Sequence, residues 1–368
     1  MEKVSIGWGL TKACNMHCDF CYSKQAREEL SDVGIKDWKS FVDRNHQHID
    51  SINYGTGENA IMDDFFYFVQ YVRQHYPEIK QSLTSNGYVG VKAEQNPLFK
   101  KIYEESIDEI DVSIDYNDKD KHNKQRGHSQ AFEWANKTLQ MSKEMGKLCT
   151  VVFVGSDDTC TKENLAGLFE LVKKYDAYLR MNIYRPVSKD KKNDRFILSY
   201  NGLKDTLQYA NDEQEIVSLS DTLLGNVFTD QVNIRDNTGT ESIRILPDGT
   251  ICPSTYLIDA KYRNEANIKT ADLAKLYFPQ FAEVETPKAC EGCKIEEVCK
   301  GGVYDRRMLW YDTFAERDPY CPTRNNDEIP TEKFHVEKLS RVSVHDGYLP
   351  TLFFKAKEVS DEETVHKG

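Results

Sequence analysis

Three thiols lie within eight residues in the segment Cys14-Asn15-Met16-His17-Cys18-Asp19-Phe20-Cys21. It follows an apolar segment, residues 4–10, that predicts a first β-strand. Thiolates grouped in this way bind iron-sulfur clusters or zinc, and not magnesium or calcium. Three cysteine ligands leave one iron of a four-iron cluster open, which is typical of a catalytic site. A zinc ion that awaits a distant fourth ligand remains an alternative.

The composition of the chain excludes several classes of function. Its 368 residues suffice for two domains or one large barrel with an appendage, and its net charge is -12. An acidic chain is a poor binder of nucleic acids or anionic membranes, whose phosphates are held by Lys and Arg. We expect a cytoplasmic protein, because no signal sequence and no apolar span long enough for a bilayer is evident. Clustered cysteines in such a protein indicate metal ligation and not disulfides.

Strands alternate with amphipathic helices through the first half of the sequence. Five further strands are predicted at residues 51–54, 79–85, 109–115, 148–154 and 178–184. This alternation is typical of parallel βαβ units, which place ligands at the carboxyl ends of their strands. Glycines at such an end let the backbone approach a ligand, and the carboxylate of Glu58, after Gly55-Thr56-Gly57, can hold a cationic amine. Arg180 and Asn182 project from the sixth strand, and either can meet a ligand.

The C-x3-C-x2-C spacing with Phe20 before the third cysteine resembles the signature of radical S-adenosylmethionine (radical SAM) enzymes. The resemblance implies that Cys14, Cys18 and Cys21 hold a 4Fe-4S cluster whose open iron binds SAM. It also implies that SAM is contacted by Phe20, Gly57, Glu58, Ser113, Asp115 and Arg126. Thr56 departs from the family, which has a pair of glycines before this glutamate. His122, Arg126 and Gly127 are expected to lie in the loop that follows the fourth strand.

A second group of cysteines lies downstream of a predicted β-hairpin, residues 242–252, that turns at Asp248-Gly249. Its four members form a closed ligand set, for which zinc is an alternative: Cys290, Cys293, Cys299 and Cys321. The hairpin before this group, Gly301-Gly302 after Cys299 and the Asp318-Pro319-Tyr320-Cys321 end resemble the SPASM/twitch extension of radical SAM enzymes, which carries auxiliary 4Fe-4S clusters. A full SPASM domain has seven cysteines, and here Val303 replaces one of them. We therefore expect one auxiliary cluster, with Cys252 as a packing residue.

The predicted fold is α/β, a partial (β/α)6 TIM-like barrel followed by a small cysteine-rich SPASM/twitch-like domain. The expected divisions are a barrel at 1–187, a linker and helical bridge at 188–240, the auxiliary-cluster domain at 241–325, and a C-terminal hairpin with a mobile tail at 326–368. Within the bridge, residues 218–228 are predicted to be helical. The C-terminal hairpin is predicted to join residues 341–344 to residues 348–355.

The resemblance implies an enzyme that cleaves SAM to a 5'-deoxyadenosyl radical and abstracts hydrogen from a ribosomally made peptide. The product would carry a crosslink, an oxidation or an epimerised residue, and in the last case Cys160 is a candidate hydrogen donor. Expected partners are the precursor peptide and an electron donor such as flavodoxin or ferredoxin. The sequence begins at the first strand, so a separate leader-recognition protein is also expected. The alternatives are a radical SAM dehydrogenase acting on a small alcohol or sugar, and a non-catalytic iron-sulfur redox sensor.

Overall fold

Six β-strands alternate with helices through the first half of the chain. The structure is a computed structural model that describes residues 3–23, 33–187, 191–231, 233–336, 342–346 and 348–357. The strands are β1 (Val4–Trp8), β2 (Ile49–Tyr54), β3 (Lys80–Ser85), β4 (Glu109–Ser113), β5 (Leu148–Gly155) and β6 (Tyr178–Ile183). The helices are α1 (Ile35–Asn45), α2 (Asp63–His75), α3 (Tyr88–Gln95), α4 (Pro97–Ser106), α5 (Lys119–Arg126), α6 (Ala131–Glu144) and α7 (Lys162–Tyr175). Each strand pairs in parallel with the next along the chain, so the predicted βαβ series is confirmed.

The second half of the chain adds four strands and shorter helices. In order they are α8 (Tyr200–Glu213), β7 (Glu215–Leu219), α9 (Leu224–Phe228), β8 (Ser242–Ile245), β9 (Ile251–Cys252), α10 (Pro279–Ala282), α11 (Glu296–Cys299), α12 (Tyr304–Tyr311) and β10 (Leu352–Lys355). All four strands join the first six in one sheet, whose order is β7-β10-β6-β5-β4-β3-β2-β1-β8-β9. Strand β8 runs parallel to β1 and antiparallel to β9, which confirms the predicted hairpin.

The C-terminal strand differs from its prediction. Strand β10 lies between β6 and β7 and pairs antiparallel with both, so the predicted C-terminal hairpin is wrong. Leu352, Phe353 and Phe354 are fully or almost fully buried there. Insertion of this apolar segment pairs the edge of β6, which would otherwise present unpaired backbone groups. Residues 341 and 347 of the predicted hairpin, and residues 358–368 of the predicted mobile tail, lie outside the described residues.

Two further segments were assigned wrongly from sequence. Residues 218–228 are not one helix, because Ser218 and Leu219 belong to β7 and pair with β10. Residues 119–126 are helix α5 and not loop: Asp118 accepts a hydrogen bond from the backbone N–H of Lys121 at 2.8 Å, and Gly127 ends the helix with a φ of 63°. Helix α5 has no apolar stripe that would reveal it to a periodicity argument.

The helices pack an aromatic core against one face of the sheet. Phe65, Phe68, Val69 and Val72 of α2 are fully buried, as their helical spacing predicts. The ring of Trp8 on β1 meets that of Phe68 edge-on at a centroid distance of 5.4 Å. Burial of such rings supplies much of the stability of this layer.

The opposite face of the same strands is polar although it is also buried. Asn53 donates to the hydroxyl of Ser82 at 3.0 Å, and the hydroxyl of Ser51 donates to that of Ser5 at 2.9 Å. The hydroxyl of Thr84 donates to Asp111 at 3.3 Å. Hydrogen bonds of this kind offset the desolvation of polar groups. The inner face of the sheet therefore provides a polar interior in which a ligand can be bound.

The predicted division into domains stays a prediction, and part of it falls outside the described residues, at 188–190. The chain beyond residue 240 contributes β8, β9 and β10 to the same sheet as the first six strands. Within the described ranges, no helix is long and apolar enough to cross a bilayer.

Candidate active site

The first cysteine loop follows β1 and is held against the end of β2. The backbone N–H of Glu58 donates to the carbonyl of Ala13 at 2.9 Å. Gly57 has a φ of 64°, and a Cβ placed on it would lie 2.4 Å from the same carbonyl oxygen. Both its conformation and this close approach require glycine. The Gly-Thr-Gly-Glu segment thus positions the loop that carries Cys14.

The other side of the loop is held by the end of α5. The backbone N–H of His17 donates to the carbonyl of Arg126 at 3.1 Å, and Cys18 Sγ lies 3.7 Å from the same oxygen. A Cβ on Gly127 would lie 3.0 Å from the carbonyl oxygen of His17. The cysteine loop is therefore clamped between the ends of two βα units that are distant in sequence.

The thiols of Cys14 and Cys21 lie close enough to Cys18 to affect its pKa. Burial raises the pKa of Cys18 to about 11; nearby Arg126 opposes this shift, and Cys21, Asp115 and Cys14 add to it. A bound metal would replace the thiol protons, so that Cys18 would be held as the thiolate and not as the neutral thiol. Within the part of the chain that the structure describes, no three His, Cys, Asp or Glu side chains converge at metal-binding distances. The loop carries three thiols within eight residues, and their role as metal ligands is a proposal.

Glu58 lies beneath this loop and is completely buried. Its carboxylate accepts hydrogen bonds from Ser85 Oγ at 3.0 Å and from the backbone N–H groups of Asn86 at 2.8 Å and Ala60 at 3.3 Å. Burial nevertheless raises the pKa of Glu58 to about 7. A nearby cation would stabilise the charged form. Thr56, at the position of the family's glycine, has a φ of 90°, a conformation that glycine favours.

Asp115 and Arg126 form a buried ion pair beside the cysteine loop. Asp115 Oδ2 lies 2.7 Å from Arg126 Nε, and Asp115 Oδ1 accepts a hydrogen bond from the backbone N–H of Val154 at 3.0 Å. The guanidinium of Arg126 also lies over the ring of Phe20, 5.1 Å from its centroid. Burial, reinforced by Arg126, lowers the pKa of His122 to about 3, so this histidine is neutral at pH 7.

A cavity of about 130 Å³ opens on the inner face of the sheet at this point. Its lining contains three of the residues predicted from sequence, namely Phe20, Ser113 and Arg126. Gly57, Glu58 and Asp115 are not among the described residues that line it. The lining also includes Arg180 and Asn182, the polar side chains noted on the sixth strand.

Several cavity residues were missed in the sequence. They are Tyr22, Arg185, Arg244, Tyr256, His345 and Tyr348. Arg244 comes from β8 and His345 from the segment before β10, so only the three-dimensional fold brings them to the barrel interior. The available sequence signal was the polar Arg244 within the apolar alternation of β8, which the hairpin assignment did not use.

Cys160 is placed away from the cavity. Its Sγ lies 3.6 Å from Met181 Sδ, and burial raises the pKa of the thiol to about 12. It is not among the described residues that line the cavity. The suggested role of Cys160 as a hydrogen donor remains a prediction from sequence without support from this geometry.

The four downstream cysteines come together at the other end of the chain. Cys290, Cys293, Cys299 and Cys321 line one small cavity of about 30 Å³. The backbone N–H of Cys293 donates to the carbonyl of Cys290 at 2.9 Å, which folds this loop tightly. Arg317 lines the same cavity and supplies a positive charge beside the thiols. Cys252 is instead fully buried with Leu246 and Ile258, as expected for a packing residue.

A buried ion network anchors the second cysteine group. Arg306 Nη1 lies 2.5 Å from Asp221 Oδ2, and its Nη2 lies 2.7 Å from Asp318 Oδ2. Asp318 in turn accepts a hydrogen bond from the backbone N–H of Val303 at 3.0 Å, and its carbonyl accepts one from Cys321 at 3.0 Å. The Asp-Pro-Tyr-Cys end predicted as part of this site is thus fixed to the rest of the molecule.

The chain is similar to known proteins in sequence and in fold. Residues 8–169 match the family model of the radical SAM superfamily. The mycofactocin maturase MftC of Mycolicibacterium smegmatis is 25% identical over 191 residues, which cover 50% of this chain and 45% of the relative. The match thus spans less than half the length of that curated relative.

Two solved structures share the fold. Streptococcus suis SuiB bound to the precursor peptide SuiA superposes with a TM-score of 0.69 and 16% identity, over 87% of this chain and 76% of SuiB. Native anSMEcpe with bound AdoMet and Cp18Cys peptide gives a TM-score of 0.68 and 18% identity, over 88% of this chain and 95% of the other. The match to the radical SAM superfamily model is confined to residues 8–169, which are less than half of the 368 residues of the chain.

Proposed function

We propose that this chain is a radical SAM enzyme that modifies a ribosomally made peptide. Cys14, Cys18 and Cys21 would hold a 4Fe-4S cluster, which together with SAM would supply the one-electron chemistry that yields a 5'-deoxyadenosyl radical able to abstract hydrogen from the substrate. The observation that carries the proposal is the position of the cysteine loop. Cys18 and Cys21 flank Phe20, whose ring lines the cavity of about 130 Å³ on the inner face of the sheet.

The residues around the loop fit a cationic, amino-acid-like cofactor. Cys14, Cys18 and Cys21 would ligate the cluster. Glu58, which is buried at the end of β2, would receive the amino group of SAM, because a cation favours its charged form. The other predicted SAM contacts are Phe20, Gly57, Ser113, Asp115 and Arg126. Asp115 would act largely by fixing Arg126, since the two already form an ion pair.

The peptide substrate is proposed by analogy with the relatives. MftC is named a maturase, SuiB was solved with a precursor peptide, and anSMEcpe was solved with a bound peptide. These statements concern those proteins, and a shared fold does not fix a substrate. The cavity has room for one side chain and not for a folded peptide. We therefore propose that one residue of the peptide enters it and acquires a crosslink, an oxidation or an inverted stereocentre.

A second 4Fe-4S cluster is proposed at Cys290, Cys293, Cys299 and Cys321. Four thiolates complete the coordination of such a cluster, so it would hold no substrate on an open iron. Arg317 in the same cavity would offset part of the negative charge of the ligated thiolates. The cluster would accept the electron released when the substrate radical is oxidised. An external donor such as flavodoxin or ferredoxin would reduce the first cluster, and a separate protein would present the leader of the peptide.

A second candidate function is oxidation of a small alcohol or sugar. The size of the cavity favours it, because about 130 Å³ also suits a single small molecule. Incubation of the enzyme with isotopically labelled alcohols and sugars, and in parallel with peptides, distinguishes the two. Transfer of label into 5'-deoxyadenosine from a small alcohol but from no peptide would replace the first proposal with the second.

The decisive experiment compares metal content and SAM cleavage in anaerobically reconstituted protein. We expect about eight irons per chain and an electron paramagnetic resonance signal that shifts when SAM is added. Changing Cys14, Cys18 and Cys21 together to Ala should abolish SAM cleavage and leave about four irons. The matched control is Cys149→Ala, which removes a buried thiol from β5. Undiminished SAM cleavage in the triple variant would refute the assignment.

A further inference from the structure

The lining of the cavity carries positive charge without negative charge. Four arginines and a histidine line it, and no Asp or Glu is present among the described lining residues. Two of these arginines already have partners outside the lining. Arg126 pairs with Asp115 at 2.7 Å, and Arg185 Nε lies 2.9 Å from Asp305 Oδ1. The remaining two, Arg180 and Arg244, are less fully compensated.

Arg180 shares its carboxylate partner, Asp111, with a histidine. Its Nη2 lies 3.5 Å from Asp111 Oδ2, and His345 Nδ1 lies 2.8 Å from the same oxygen. The side chain is only 1% exposed. Its Nε and Nη1 donate no hydrogen bond to any group in the described part of the chain. Buried donors without acceptors are unfavourable, so a ligand that accepts from them gains free energy.

Arg244 has no carboxylate partner at ion-pair distance within the described ranges. Its Nη2 donates to the carbonyl of Gly55 at 2.7 Å, and the side chain is 2% exposed. Gly7 on the neighbouring strand leaves space for this guanidinium and for the Tyr348 ring, because a Cβ there would lie 1.5 Å from Tyr348 Oη and 2.7 Å from Arg244 Nη1. The fold thus makes room for a buried cation and supplies only a neutral acceptor.

The two arginines lie deeper in the sheet than the cysteine loop. Arg244 is opposite Gly7 on β1, and Arg180 is opposite Val152 on β5, both within the strands and not at their ends. The arginine next to the cysteine loop is Arg126, whose carbonyl accepts from His17. An anion bound between Arg180 and Arg244 would therefore belong to a molecule that reaches past the loop into the interior.

We propose that this cavity binds a carboxylate group of the substrate through Arg180 and Arg244. Guanidinium groups bind carboxylates through paired, charge-assisted hydrogen bonds. The inference rests on the proposed function and narrows its substrate class to a peptide residue with a free carboxylate, at the C-terminus or on an Asp or Glu side chain. The volume, about 130 Å³, resembles that of cavities that hold one benzene ring.

The test uses a pair of probes of the same shape, phenylacetate and phenylacetamide. Their binding to the reconstituted protein is measured by calorimetry at pH 7, with and without SAM. We expect phenylacetate to bind at least about tenfold more tightly than the amide, because the amide lacks the charge. Arg180→Gln and Arg244→Gln should each remove most of this preference. Lys101→Gln, which removes a charge from an exposed side chain, should leave it unchanged.

Several outcomes would overturn the inference. They are equal affinity for the two probes, a preference that survives both arginine variants, and loss of phenylacetate binding in proportion to added SAM. The last would assign the carboxylate site to SAM itself. Arg180→Lys keeps the charge and should retain part of the preference for phenylacetate. This variant shows whether a loss of that preference in Arg180→Gln comes from the missing charge or from misfolding. SAM cleavage is measured in the same preparations: its absence counts against the proposed function, whereas cleavage without carboxylate preference counts against this inference alone.

Discussion

Asp115 Oδ2 lies 2.7 Å from Arg126 Nε, and both side chains are buried beside the first cysteine loop. Removal of one member of a buried ion pair leaves the other charge uncompensated, which typically costs about 3–5 kcal/mol. We expect Asp115→Asn to reduce the free energy of unfolding by an amount of this order. The double variant with Arg126→Gln should lose less than the sum of the two single changes. Urea denaturation of the four proteins measures the coupling.

A more exposed pair supplies the control for this experiment. Arg73 Nη2 lies 2.6 Å from Asp108 Oδ2, with side chains that are 23% and 39% exposed. Exposed pairs contribute about 1 kcal/mol or less. The cycle made from Arg73→Gln and Asp108→Asn should therefore show weaker coupling. Equal coupling in the two cycles would mean that burial does not govern the Asp115–Arg126 pair.

Gly57→Ala is expected to displace the first cysteine loop. The new Cβ would lie 2.4 Å from the carbonyl oxygen of Ala13, and the φ of 64° is unfavourable for alanine. Because the neighbouring carbonyl is backbone, relief requires the loop itself to move. We expect the variant to lose most SAM cleavage and about four of its irons while the second cysteine site stays loaded. Iron analysis and a cleavage assay on the same sample test this.

Gly146→Ala separates the effect of strain from that of the clash. Gly146 also has a positive φ, 67°, but no atom of the described residues lies within 4 Å of the position of its Cβ. This variant should lose about 1 kcal/mol of stability from backbone strain. Its iron content and SAM cleavage should remain those of the parent. A matching loss of iron in both variants would show that global stability, and not the position of the loop, controls cluster loading.

Local sequence patterns predicted the elements whose cause is local. The cysteine spacing, the βα alternation and the Asp248-Gly249 turn depend on residues close together in the chain, and the structure contains the strands and hairpin they imply. Helix α5 was missed because its residues are almost all polar, so no apolar period marks it. Its end nevertheless positions Arg126, a residue that the family resemblance did identify.

Features that depend on distant pairing could not be read from the sequence. Strand β7 is a strand because β10 pairs with it, and a window around residues 215–219 contains nothing of that partner. The full lining of the cavity of about 130 Å³ could not be identified from the sequence for the same reason. Nothing in the sequence near Arg180 or Arg244 shows that the two share a cavity. They line one cavity because of the positions of β6 and β8 in the sheet. Tertiary contacts of this kind override local preference.

The second cysteine set should be separable from SAM cleavage. Changing Cys290, Cys293 and Cys299 together to Ser is expected to remove about four irons while the first cluster still cleaves SAM. We expect this independence because the thiols of the second set line a cavity that shares no described lining residue with the cavity of about 130 Å³. Iron analysis and detection of 5'-deoxyadenosine test the prediction. Loss of SAM cleavage together with the iron would show that the two sites depend on each other.

Glu58 should make stability depend on pH in a direction opposite to that of most carboxylates. Burial raises its pKa from 4.5 to about 7, so between these values the folded protein binds a proton that the unfolded chain has lost. The free energy of unfolding therefore falls as the pH rises from 4.5 to 7. The whole shift in the pKa of Glu58 corresponds to a fall of about 3 kcal/mol. Glu58→Gln removes the effect.

Urea denaturation from pH 3 to pH 8 without SAM measures this dependence. The stability of Glu58→Gln relative to the parent should rise up to about pH 7 and then level off. Glu133→Gln is the control for sign: the hydrogen bond from Lys119 lowers the pKa of Glu133, so its contribution is lost as the pH falls. The stability of Glu133→Gln relative to the parent should therefore fall as the pH rises. A flat profile for Glu58→Gln would show that the carboxylate is charged throughout the range and that its hydrogen bonds from Ser85, Asn86 and Ala60 outweigh its burial.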